Sequence, residues 1–137
     1  VINDLGNLND IHPKNKVPVG QRLAALALNK TYGMKDVKCD SPEFAGLSTN
    51  GNELIVEFKH AEGLKTRDGK APNWFEVCGK DCKYYPATAK IAGNKVTLSS
   101  PNVAAPVGVK FAWDMTAQPK LINTAGLPAG AFRATSK

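Results

Sequence analysis

Long apolar runs are missing from this chain. The longest, Leu23 to Leu28, falls far short of the roughly 20 residues that cross a bilayer, and no signal peptide precedes Val1, so no membrane role is expected. Basic runs with interleaved aromatics are missing too. The formal charge is +6, from 18 Lys and Arg against 12 Asp and Glu, but the lysines are scattered and make no nucleic-acid footprint. Histidines number two and cysteines three. Two cysteines without a second Cys or His pair do not complete a four-ligand zinc shell, so neither a metal nor another cofactor is expected. Cys78 and Cys82 flank Gly79-Lys80-Asp81, a turn between two β-like runs. They could face each other as a disulfide or stand as free thiols on neighbouring strands; Cys39 has no evident partner. Also absent is any Gly-x-Ser-x-Gly elbow, or a Gly-Asp/Glu/Gln-Ser block before a helix. The serines Ser41, Ser48, Ser99, Ser100 and Ser136 fall in turns, at a strand end or in the tail.

What is present is one helical period followed by a series of strand periods, changing near residue 36. From Val19 to Tyr32 the apolar residues Val19, Leu23, Leu26, Ala27 and Leu28 recur at helical spacing, with Gln21, Arg22, Asn29 and Lys30 on the other side. Asn15 suits the N-cap, Pro18 the first turn and Gly33 the position past the end. After it, Asn52 to Lys59 sets Leu54, Val56 and Phe58 against Glu53, Ile55 and Glu57, a strand with one face buried. Phe75 and Val77 alternate before the cysteine turn. Ala87, Ala89 and Ile91 lead into Gly93-Asn94, from which Val96 to Ser99 returns as a hairpin. Val107 to Trp113 alternates again. Six or so short strands between about 40 and 115 predict an antiparallel β-sandwich, with the Pro, Gly and Ala-rich tail from Thr116 as a strap or loose end.

The residues best suited to chemistry lie near the start. Asp10-Ile11-His12-Pro13 puts a histidine beside an acid and ahead of an amphipathic helix, and Pro13 restricts the His12 backbone to extended conformations. An imidazole so held can take a proton and return it, as ester hydrolysis by a serine requires. The other histidine, His60, ends a strand pattern and reads as a turn residue.

The stretch Asn9-Asp10-Ile11-His12-Pro13-Lys14-Asn15-Lys16, followed by Val19-Gly20-Gln21-Arg22-Leu23-Ala24, resembles the C-terminal catalytic block of the sialate O-acetylesterase family. Phe75-Glu76-Val77, Pro86 to Ile91, Val96 to Ser100, Val107 to Trp113 and Gly126-Leu127-Pro128 are similar to that family's terminal β domain. The resemblance implies a mainly β chain: residues 1–36 as the final loop and helix of an α/β SGNH-hydrolase domain, and residues 37–137 as a β-sandwich with a C-terminal strap. It implies a serine carbohydrate esterase that removes O-acetyl groups from sialic acid or related acetylated glycans such as xylan, with His12 as general base. The substrate is then an O-acetylated sugar, and the nucleophilic serine lies in an N-terminal part or a companion chain; a secreted or periplasmic location follows from the family's exported habit.

The block departs from the broader SGNH pattern, in which an acid stands three residues before the histidine. That position is Asn9 here, and Asp10 stands two before. Asp10, Asn9 or a backbone carbonyl could orient the imidazole, and Asp10 could equally cap the loop through its own backbone. Lys14 is a candidate for a substrate carboxylate, although lysines at a helix start are more often solvated. Trp74 is the candidate for an exposed stacking ring, whereas Trp113 shares by alternation the face of Val109 and Phe111 and is assigned to packing. A non-catalytic β-sandwich that binds carbohydrate or serves architecture is the alternative; it has no use for the residues from Asn9 to Tyr32. The discriminating feature is whether the helix keeps an apolar face that the β domain does not cover.

Overall fold

The structure, a computed structural model, describes residues 1–10 and 12–136; Ile11, inside the histidine block, lies outside the described residues. After an N-terminal strap comes helix α1 (Val17–Leu26), whose last turns, Ala27–Thr31, are widened into a π-helix. Ten strands follow: β1 (Glu43–Asn50), β2 (Glu53–Lys59), β3 (Lys65–Thr66), β4 (Phe75–Cys78), β5 (Tyr84–Pro86), β6 (Thr88–Ala92), β7 (Lys95–Ser99), β8 (Gly108–Phe111), β9 (Leu121–Ile122) and β10 (Phe132–Thr135). They form two four-stranded sheets, β1-β2-β7-β6 and β10-β8-β4-β5, and a two-stranded ribbon, β3-β9. Among the described residues every strand pairing is antiparallel. The chain is a mainly β, antiparallel sandwich with one short helix.

Alternation builds the core. Leu54, Val56 and Phe58 of β2, with Val96 and Leu98 of β7, turn inward from one sheet; Phe75, Val77, Val109 and Phe111 turn inward from the other. Phe132 joins the layers, its ring stacked on Phe44 at 4.9 Å and edge-on to Phe58 at 5.7 Å. Phe58 and Phe111 are wholly buried, and truncating such a side chain to alanine costs about 3–5 kcal/mol. The β6–β7 hairpin closes on Gly93-Asn94, where Gly93 has φ +60 as the first position of a two-residue turn requires. The same Gly-Asn pair at 51–52 closes β1 onto β2. Gly108 leaves room for its neighbours: a Cβ there would stand 2.6 Å from Cys78 Sγ.

The four outer strands of the sheets are β1, β6, β10 and β5. β1 carries a bulge between Phe44 and Gly46, and β5 ends in Pro86.

Several expectations are corrected. Lys16, not Asn15, is the N-cap; Asn15 Oδ1 instead accepts the Val17 N–H at 3.1 Å. The tail contains β9 and β10, and its Phe132 enters the core. Of the two readings of Cys78 and Cys82 the free thiols hold, and only the placement of Cys82 changes: Cys78 pairs in register with Tyr84, so Cys82 lies in the connecting turn and not on a strand. Trp113 is not packed in the core: Ala112 has φ +50, which ends the alternation after Phe111, and the indole is 54% exposed. A left-handed alanine costs roughly 1–2 kcal/mol, a cost met here by a hydrogen bond from its N–H to the Trp74 carbonyl at 2.9 Å.

Candidate active site

The N-terminal strap is fixed to the sandwich by one carboxylate. Asp4 receives two hydrogen bonds from the Arg22 guanidinium, at 2.7 and 2.8 Å, and a third from Arg67 at 2.8 Å. Its side chain is almost fully buried. Burial alone would raise the Asp4 pKa, but the hydrogen bonds from Arg22 and Arg67 outweigh it and hold the carboxyl below its ordinary value. One side chain thus ties strap, helix and the segment after β3 together. Asn3 adds a bond from Nδ2 to the Ala129 carbonyl at 2.9 Å.

From this anchor the chain runs through tight turns to the histidine. Asn7 Oδ1 accepts the Asn9 N–H at 3.1 Å, and the Asp10 N–H reaches the Asn7 carbonyl at 3.4 Å. Asp10 Oδ1 then accepts the His12 backbone N–H at 2.9 Å and lies 3.0 Å from His12 Nδ1. A single carboxylate oxygen therefore shapes the turn and orients the ring. The backbone N–H of His12, followed by its imidazole, draws the Asp10 pKa below the usual carboxylate value. In the neutral tautomer that donates from Nδ1 to that oxygen, Nε2 would present its lone pair to a proton from elsewhere. The His12 side chain is 72% exposed, so the ring is open to an approaching group. Asn9 takes no part in this contact.

Of the residues singled out in the sequence, Asp10 and His12 meet directly. Lys14 lies beside them, lining with Leu8, Asn9 and Gln118 a groove of about 490 Å³. Trp74 lies elsewhere, at the end of the β4–β8 ladder. A second groove, of about 830 Å³, runs along Asp10 and Pro13 and is lined by Ile2, Leu5, Leu8 and Met115. None of the contacts described joins a serine to His12; Ser100 is buried, and Ser136 donates to the Val107 carbonyl.

Helix α1 faces the sandwich with its polar side. Arg22 and Asn29 point inward, and Asn29 Nδ2 donates to the Val37 carbonyl at 2.9 Å. The apolar stripe points out: Val17, Leu23, Leu26 and Leu28 are all exposed, Leu23 to 62%. Asp4 and Arg67 were not signalled by the sequence, because their partners lie far along the chain.

No family model matches the chain, and no curated protein matches it. A solved structure does. The crystal structure of a novel carbohydrate acetylesterase from Xanthomonas citri superposes with a TM-score of 0.91 at 38% sequence identity, covering 98% of this chain and 31% of that one. The chain is similar to about a third of a carbohydrate acetylesterase. At this identity the likeness extends from the histidine block through the sandwich, and it is a likeness to a carbohydrate esterase in general.

Proposed function

We propose that this chain supplies the general base, His12, of a serine carbohydrate esterase that removes O-acetyl groups from sialic acid or a related acetylated glycan. The observation that carries the reading is the Asp10–His12 contact at 3.0 Å, within a chain 38% identical along 98% of its length to a carbohydrate acetylesterase. In the reaction, a serine Oγ attacks the acetyl carbonyl while Nε2 of His12 takes its proton. The imidazolium returns that proton to the sugar oxygen as the C–O bond breaks, leaving an acetyl-serine. Water, deprotonated by the same Nε2, releases acetate and the serine is reprotonated. The Asp10 carboxylate stabilises the imidazolium in both halves.

The serine and the oxyanion donors belong to the remainder of the esterase, as an N-terminal part or a companion chain. The outward apolar stripe of α1 supports this, since a solvated helix gains nothing from Leu23 and Leu26 at its surface. In this reading residues 1–36 complete the hydrolase domain, residues 37–137 form the appended sandwich, Lys14 meets a substrate carboxylate, and the enzyme is exported to the periplasm or beyond.

Treating the native preparation with a fluorophosphonate and weighing every polypeptide tests the proposal. A serine-labelled polypeptide that associates with or contains these residues, and that loses esterase activity on His12→Ala, is the expected result. Absence of any label, or full activity in H12A, overturns it.

A further inference from the structure

We infer that Trp113, Trp74 and Arg133 form a stacking subsite for a chain of pyranose sugars that leads toward the His12 loop. The inference rests on the esterase reading for its choice of ligand and deepens it, naming a glycan chain and not a single terminal sugar as substrate.

Both indoles are exposed, Trp113 to 54% and Trp74 to 39%. Their exposure is built into the backbone. Phe75 and Phe111 are paired across β4 and β8 with their rings buried in the core, and each is flanked at the same end of the ladder by a left-handed residue, Trp74 at φ +64 and Ala112 at φ +50. Left-handed backbone is rare for a bulky aromatic residue and persists only where its surroundings enforce it, a situation that clusters at ligand clamps. Here the Ala112 N–H to Trp74 carbonyl bond locks the two together. Without that reversal, strand alternation would carry Trp113 to the face of Phe111. Arg133 completes the patch, with its guanidinium carbon 5.9 Å from the Trp113 ring centroid. Flat indole faces suit the C–H surface of a pyranose, and a guanidinium beside them supplies donors for hydroxyl or carboxylate oxygens.

The backbone segments that carry the two indoles adjoin the wall of the candidate active-site groove. Trp113 runs directly into the turn at Asp114–Gln118, where Asp114 Oδ1 accepts the Thr116 N–H at 2.7 Å. Met115 of that turn is fully exposed and lines a groove together with Asp10 and Pro13. On the other side, Asn73, the neighbour of Trp74, donates to the Gln118 carbonyl at 3.4 Å. One turn therefore follows Trp113 in the chain, accepts a hydrogen bond from the neighbour of Trp74 and walls the groove, which gives a sugar chain seated on the indoles a course along Met115 toward Asp10.

The chain has only two tryptophans, so its tryptophan fluorescence, excited selectively, reports on these two indoles alone. Titration of the 137-residue chain with acetylated xylohexaose is expected to change the emission saturably, while xylose does not. Trp113→Ala and Arg133→Ala should each weaken binding by about tenfold or more, and Trp113→Phe should restore most of it; circular dichroism confirms that each variant is folded. No saturable change, or an affinity equal in wild type, W113A and Trp74→Ala, overturns the inference. Its failure is separable from that of the esterase reading. Glycan binding that depends on Trp113 without any fluorophosphonate-labelled serine leaves the subsite standing, and a labelled serine with no dependence on the indoles removes only the subsite.

Discussion

Asp10 spends one oxygen on two bonds, to the backbone and to the ring of His12. Removing the carboxylate thus loosens the turn and frees the imidazole together, whereas Asp10→Asn keeps an acceptor and loses only the charge. In the assembled esterase, His12→Ala should lower kcat by about 10²–10⁴-fold, Asp10→Asn by less than Asp10→Ala, and Asn9→Ala hardly at all. Steady-state kinetics on an aryl acetate checks the order, and a larger loss in N9A than in D10A would reassign the orienting residue. The thiols give a second residue-scale outcome. Cys78 is buried, while Cys39 is half-buried and Cys82 exposed. An aromatic disulfide reagent should titrate Cys82 rapidly in the folded chain and Cys78 only after denaturation, and reductant should not change the melting temperature. Tyr84, facing Cys78, has its phenol pushed up to about 12, first by burial and then by its hydrogen bond with that thiol, so its ultraviolet ionisation step should lie well above that of exposed tyrosines.

At the scale of elements, the Asp4 carboxylate is the charged clasp between the strap, the helix and the sandwich. Asp4→Asn leaves two guanidiniums without their carboxylate and should cost roughly 2–4 kcal/mol in urea unfolding. The pH dependence has a definite sign. The folded Asp4 pKa lies below its ordinary 3.8, so the clasp contributes fully above that value and is lost as pH falls through the lower, folded one. The stability gap between wild type and D4N should hold at neutral pH and close in acid; a gap that widens below pH 3.8 would contradict the clasp. The sequence shows only part of this. His12 and Asp10 are two residues apart, and a local contact of that kind is legible in the chain itself. The β2 alternation and the Gly93-Asn94 turn are legible because both are local patterns. Asp4 and Arg67 are separated by 63 positions, and nothing in the local pattern of either marks the other. β1 is interrupted by Gly46 and a bulge, and β10 lies in an alanine-rich tail, so neither shows a clear period. Trp113 misleads because one left-handed residue, Ala112, reverses the face on which the following side chain falls.

For the whole molecule, the decisive asymmetry is a sandwich complete in its own core beside a helix turned apolar side out. The isolated chain should therefore fold and yet associate through α1. Leu23→Glu with Leu26→Glu should shift sedimentation velocity profiles toward monomer without lowering the melting temperature of the sandwich, and an unchanged distribution would place the contact elsewhere. The same double variant should weaken capture of the serine-bearing part. The bulge in β1 and the proline closing β5 bear on what kind of association this is. The irregular backbone of β1 and the missing amide of β5 make these two outer strands poor templates for strand addition, so association through α1 should proceed through side chains. Clusters of the isolated chain formed through α1 should accordingly dissolve on dilution and leave thioflavin T dark, a reversible association and not a seed for fibrils.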